Sequence, residues 1–474
     1  MKPEKKRRGG KFLARRGKRP PAPGYAAPFF VALCVLTVVS FIIPLRPTRS
    51  HNEKRNLAEF PEFSWEALSS GDYFDDITLW FSDTFPGRDS WISLSTNTKE
   101  LHGFQDVVIY GDVSVQETIP DEYAPGLIET RPPETEVPET EFVEVETTPV
   151  ETEPLDTTPP TTPVEEWGGV DAGEGAEIYL GSVIQIDNAA FNYFKFSKNE
   201  SDRFVNTMTW FSEAVAHRED MNVVTVAIPS SVGVMVESEY QSKIGCADQG
   251  DAIEYVYSGL PEDVVAVNIF PTLVEHNDEY LYFRTDHHWT AQAGYYCYRE
   301  ICNAIGREPL ELEEYEEWDQ GTFRGSLYYK CNQSSKLKLD NVYAYNPPGD
   351  ITMMITGDSG RFSWPVLTDM SKSKENAKYM TFLAGDHPLC EITNNDMPDG
   401  GTCIIVKNSF GNCVVPFFAA NYNKVIVVDY REYKAMTLKK MVDKYDADDI
   451  IFLITLEVIQ DNTYNNLLRK ACGF

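Results

Sequence analysis

Histidine is scarce in this chain, seven among 474 residues, and none of the nine cysteines stands in a C-x-x-C pair. Such pairs are what compact zinc modules are built from, so that class is excluded. Basic residues are outnumbered as well, 42 Lys and Arg against 73 Asp and Glu, for a formal charge of −31. An acidic surface repels a phosphate backbone and removes nucleic acid as a partner. The shortage of positive charge is uneven, because the first twenty residues hold ten Lys or Arg and a single Glu. The remainder is therefore more acidic than the total states.

What is present begins with "AAPFFVALCVLTVVSFIIPL", Ala26 to Leu45, which carries no charge and matches the roughly 20 apolar residues that a bilayer-spanning helix needs. Its basic flank predicts a cytoplasmic N-terminus by the positive-inside rule. No A-x-A pattern follows, so a retained anchor is expected over a cleaved signal peptide. Residues 1–25 then read as a basic cytoplasmic tail, 26–46 as a transmembrane anchor, and everything beyond as extracytoplasmic, in a single-pass protein of the cell membrane. Cys34 falls in the anchor and the other eight cysteines outside it. A domain of this size has no need of disulfides, so buried thiols are at least as well supported.

Residues 47–115 read as a folded segment that packs on the main domain, with aromatics at helical spacing; Arg88 and Trp91 are expected to be structural there. From 116 to 168 the chain is nearly all Glu, Thr, Pro and Val, a composition that cannot bury enough apolar surface to fold and reads as an acidic linker or insertion. Residues 169–474 alternate apolar runs and helical patterns. Strands are expected at Asn222 to Pro229, Val264 to Phe270, Cys403 to Val406, Val425 to Tyr430 and Ile450 to Leu456. A helix is expected from Ser201 to His217, another from the Thr290 cap to Gly306, a third after Ser409 to about Asn421, and a fourth from Met436 to Tyr445. The pattern predicts an α/β fold, a parallel sheet with helices on both faces, whose ligands sit beyond the carboxyl ends of the strands.

Two serines compete as nucleophile. Ser359 stands in "GDSG", and Ser409 in "IIVKNSFGN", directly after an apolar strand. A serine on a strand-to-helix turn exposes its hydroxyl beside free amides able to hold an oxyanion, and Pro416 fits the opening turn of a helix there. Ser409 is the preferred choice. "RTDHHWT" supplies a base: in an extended segment Asp286 and His288 share a face and His287 points away, so Asp286 orients His288 and His288 takes the Ser409 proton. A metal reading of the two histidines lacks further ligands at recognisable spacing, and no metal or other cofactor is expected.

"YFRTDHHWTAQAGYYCYREI", "VKNSFGNCVVPFFAANYNKVIVVDYREY", "DTFPGRDSW" and "FRGSLYYK" together resemble the DHHW family, which is similar to the SGNH-hydrolase-like proteins of alginate O-acetylation. The resemblance implies an SGNH-like α/β fold, with Asp286, His288 and Ser409 as the catalytic set. It also implies a serine acyltransferase that O-acetylates a cell-surface or exported polysaccharide through an acyl-serine, with the acyl group supplied by a partner membrane-bound O-acyltransferase. An esterase with the same triad and a non-catalytic glycan-binding envelope scaffold are the alternatives. Trp289 is a candidate to stack on a sugar, though packing suits it better, and Asn412 is a candidate oxyanion donor. Asn408 stands where the family often has Asp, and the FxGSxY segment falls on Phe323, Gly325, Ser326 and Tyr328 without a firm role.

Overall fold

The computed structural model describes residues 183–474 apart from 358 and 359, and shorter stretches between 46 and 131, chiefly 55–61, 72–85 and 117–123. The basic tail, the apolar run with Cys34, Trp91, most of the acidic stretch and Ser359 lie outside the described residues. No helix among the described residues is long and apolar enough to cross a membrane.

The chain divides into two compact units. Among the described residues, the first is built on the helix Asp72–Asp83. Arg46 lies over the Trp80 ring at 4.1 Å and donates to Thr84 Oγ1 at 2.7 Å. Asp83 accepts from the Ala58 amide at 2.9 Å, and the Arg88 guanidinium stands 3.9 Å from the same carboxylate. Arg88 therefore serves the packing of this unit.

The second unit is organised by one eight-stranded sheet: β1 Asn222–Ile228, β2 Val264–Ala266, β3 Ile351–Gly357, β4 Gly360–Trp364, β5 Leu389–Asn394, β6 Thr402–Lys407, β7 Lys424–Asp429 and β8 Asp449–Thr455, in the order β4-β3-β5-β7-β6-β8-β1-β2. From β7 to β2 all neighbours are parallel. The expected all-parallel sheet is thus corrected at one edge, where β5 runs antiparallel to both β7 and β3, and β4 to β3. The reason is in the sequence between strands: β1 to β2, β6 to β7 and β7 to β8 are each joined through a helix, whereas β3 and β4 form a hairpin in which Gly357 pairs with Gly360 and β5 leads into β6 with no helix between them.

β6, β7 and β8 are buried along nearly their whole length, as strands covered on both faces must be. The helix Lys198–Val215 covers this layer with Phe204, Met208 and Phe211. The helix Ala291–Ile305 starts where Thr290 accepts from the Ala293 amide and ends at Gly306, whose φ of 72° suits a glycine. Two expected elements are shorter. The second strand stops at Ala266, because Asn268 Oδ1 accepts from the Phe270 amide and Pro271 opens the helix Phe270–Glu275. After Ser409 the chain makes a 3₁₀ turn, Ser409–Cys413, and then the helix Val415–Ala419 with Pro416 in its first turn. All eight described cysteines are free thiols, seven of them buried.

Candidate active site

Ser409 stands two residues beyond the end of β6, so the sheet itself sets its height at the carboxyl edge. Asn408 caps the turn, its Oδ1 accepting from the Phe410 amide at 3.4 Å while its Nδ2 donates to Thr455 Oγ1 at the end of β8. An aspartate would accept but could not donate to Thr455, so asparagine at this position ties two strand ends together. Gly411 is required by space: a Cβ there would lie 2.6 Å from Lys407 Cβ.

The segment carrying Asp286 and His288 is not extended. Tyr282 bridges Trp289, the Phe283 amide donates to the His288 carbonyl at 3.3 Å, and residues 284–288 between them bend. The alternation argument is corrected here. Asp286 and His288 meet because Asp286 Oδ1 accepts from the His288 amide, at 3.1 Å, in an aspartate turn. The same oxygen contacts His288 Nδ1 at 2.5 Å, and His288 Nε2 lies 2.8 Å from Ser409 Oγ. Asp286, His288 and Ser409 thus form one line of hydrogen bonds, with Asp286 wholly buried and His288 nearly so.

His287 does not point away from this line. Its ring lies 3.9 Å from that of His288, and its Nδ1 is 2.8 Å from Ser326 Oγ. Ser326 explains the FxGSxY segment: its amide donates to Asp286 Oδ2 at 2.6 Å, and Gly325 leaves no room for a side chain, since a Cβ there would sit 2.2 Å from Asp286 Cβ. Phe323 is core, and the Tyr328 amide donates to the Thr285 carbonyl at 2.9 Å. Gly325→Ala is therefore expected to displace the carboxylate and lower kcat for a small ester about 100-fold while its KM holds, measured by steady-state kinetics. The two histidines and Asp286 have ligand atoms within 4.8 Å of one another. Both His288 nitrogens are already engaged, by Asp286 and Ser409, and His287 Nδ1 by Ser326, an arrangement fitted to moving a proton rather than to ligating an ion.

Three supporting groups carried no sequence signal. Asp340 accepts from the Arg284 and Thr285 amides at 2.9 and 2.7 Å, from the Thr285 hydroxyl, and from Tyr280 at 2.7 Å, which fixes the chain leading into the turn. Burial raises its carboxyl pKa and those donors oppose the rise. Tyr379 stacks on His288 at 4.0 Å and 14° and donates to the Ser409 carbonyl at 3.0 Å; burial pushes its phenol well above the usual range. Asp386 accepts from Asn412 Nδ2 and from Lys407 Nζ, both at 2.9 Å, and Arg431 joins it to Asp429. Burial alone would raise the Asp386 carboxyl, but Lys407 and Arg431 outweigh it and hold the group well below the usual carboxylate range. The Asn412 amide is thereby fixed within the nucleophile turn.

Trp289 is fully buried, with its indole N–H on the Phe410 carbonyl at 2.9 Å. The sugar-stacking expectation is corrected, for a ring with no exposed face cannot meet a sugar. Ser359 lies outside the described residues; of the strand ends that flank it, Gly357 in β3 is separated from β6 by two strands and Gly360 in β4 by three.

A comparison with curated proteins finds no match. Among solved structures, a DHHW family protein from Eubacterium siraeum is similar at a TM-score of 0.54 and 23% identity, over 60% of this chain and 93% of its own. Bacillus cereus PatB1, solved with a sulfonyl adduct, is similar at 0.52 and 16%, over 60% and 97%. The O-acetyltransferase domain of Pseudomonas putida AlgJ gives 0.37 and 13%, over 61% and 99%. The model of the DHHW protein family matches residues 53–428, and the chain belongs to that family.

Proposed function

We propose that this protein is an extracytoplasmic, membrane-anchored serine acyltransferase that moves an acetyl group onto a cell-surface or exported polysaccharide. The observation that carries this reading is the line of hydrogen bonds from Asp286 through His288 to Ser409 at the carboxyl edge of the sheet. Ser409 Oγ attacks the ester carbonyl carbon while His288 Nε2 takes its proton, and the leaving alcohol departs with that proton, which leaves the acyl group on Ser409. A sugar hydroxyl then attacks the acyl carbon, gives its proton to His288, and the proton returns to Ser409 Oγ as the new ester leaves. Negative charge on the carbonyl oxygen in both steps is met by the Ser409 amide, which has no acceptor within its own turn, and by the Asn412 amide that Asp386 orients.

The apolar run from Ala26 to Leu45 serves as the anchor, and a membrane-bound O-acyltransferase on the same membrane supplies the acyl group. PatB1 was solved with a sulfonyl adduct; a sulfonyl fluoride forms such an adduct on an activated serine hydroxyl, and that reagent is expected to label Ser409. Incubation with an acetyl-ester donor and an oligosaccharide acceptor is expected to yield acetylated sugar faster than free acetate, read by mass spectrometry. Acetate alone would make the protein an esterase, and no acyl release of either kind would leave it a binding scaffold.

A further inference from the structure

The carboxyl edge of the sheet carries a concavity to one side of Ser409. It opens beyond the ends of β1 and β2, against the helices Ser231–Met235 and Phe270–Glu275, with a volume of about 490 Å³. Because β6, β8, β1 and β2 are parallel, it lies on the same edge as Ser409, with β8 alone between β6 and β1. At a strand spacing of ~4.8 Å, the ends of β6 and β1 stand about 10 Å apart across the sheet. The edge between them is polar: Asn408 bonds Thr455 at the end of β8, and Glu457, two residues further, accepts from Asn192.

The cleft has a fixed floor. Buried Gln241 donates to the Gly233 and Val236 carbonyls at 3.2 and 2.6 Å, and buried Gln249 both accepts from the Ser230 amide and donates to its hydroxyl. Gly233 packs so tightly on Gln249 that a Cβ would come within 2.5 Å of it. A pre-formed site spends little binding energy on ordering itself. Its walls combine the apolar surfaces of Phe270 and Val274, the latter 38% exposed, with the polar groups of Glu237, Ser238 and Asn277. Among the described residues its charged lining groups are Glu237 and Asp248.

We propose that this cleft is an acceptor subsite, which holds an uncharged or amine-bearing sugar of the polysaccharide while another unit of the same polymer presents its hydroxyl to the acyl group on Ser409. Apolar flats with hydroxyl-binding rims suit a sugar, and the Glu237 and Asp248 carboxylates repel uronates and phosphorylated sugars. The proposal rests on the acyl-transfer reading above and is tested so that the two can fail separately. With the full chain in detergent micelles, Ser409-dependent hydrolysis of p-nitrophenyl acetate reports the acyl-enzyme, and acetyl transfer to glucosamine, glucose and uronate oligosaccharides of equal length reports the cleft. Val274→Trp, which fills the cleft from an exposed position, is expected to raise KM for the glucosamine and glucose oligomers at least about tenfold and to leave ester hydrolysis unchanged. Glu237→Gln is expected to weaken the glucosamine oligomer alone. Unchanged KM in the tryptophan variant, or uronate accepted as well as glucose by the parent, overturns the subsite. Ester hydrolysis that survives Ser409→Ala overturns the acyl-transfer reading instead.

Discussion

Ser409→Ala is expected to lower kcat/KM for a small acetyl ester by about 10⁴-fold or more while leaving the fold intact. The hydroxyl it removes bonds to His288 Nε2 at 2.8 Å, and the turn that presents it is held by other groups: the Asn408 cap, Gly411 against Lys407, and Tyr379 on the Ser409 carbonyl. Losing one such hydrogen bond costs stability on the order of 1 kcal/mol, so melting curves of parent and variant should nearly coincide. A sulfonyl fluoride that labels the parent should leave the variant unmodified. Ser359→Ala serves as the control, with no change expected, because two and three strands separate the strand ends that flank it from β6. A Ser409→Ala enzyme that keeps more than a tenth of parental turnover would remove Ser409 from the nucleophile's role.

What could be read in advance follows from whether the cause is local. Ser409 was legible because an apolar strand, a small-residue turn and a tolerated proline are consecutive in the chain, and the helix Ala291–Ile305 because Thr290 and Gly306 carry its two caps. The pairing of Asp286 with His288 was legible in outcome but not in cause: an i, i+2 spacing places two residues together in a strand and also in an aspartate turn, and only the fold decides between them. Tyr379, Asp340 and Asp386 had no signature, since each reaches the site from an element far away in sequence and its neighbours spell nothing unusual. The antiparallel edge escaped for a similar reason. β3, ITMMITG, and β5, LCEITN, are broken by threonines and a glutamate and lack the continuous apolar runs that mark β7 and β8, so neither strand was expected, and strand direction is set by the length and course of the connections.

Asp286→Asn tests the other end of the line, and its expected effect is of the same order, a fall in kcat/KM of about 10⁴-fold. The two carboxylate oxygens accept from both sides: Oδ1 faces the His288 amide and Nδ1, and Oδ2 faces the Ser326 amide at 2.6 Å. Asparagine has one oxygen for these positions. If its NH₂ turns toward His288, it meets a backbone donor and forces the imidazole to carry its proton on Nε2, where it can no longer take one from Ser409. If it turns toward Ser326, two donors face each other in a site that holds no exposed atom of Asp286. Either orientation leaves a buried donor unsatisfied, a cost of about 1–3 kcal/mol, so this variant should lose thermal stability as Ser409→Ala does not. Binding of a non-reactive oligosaccharide, read by calorimetry, should be unaffected in both. The pairing of a large kinetic loss with a stability loss at Asp286, against a kinetic loss alone at Ser409, separates an orienting group from a nucleophile; less than a tenfold loss of turnover in Asp286→Asn would mean that His288 takes its tautomer from some other group.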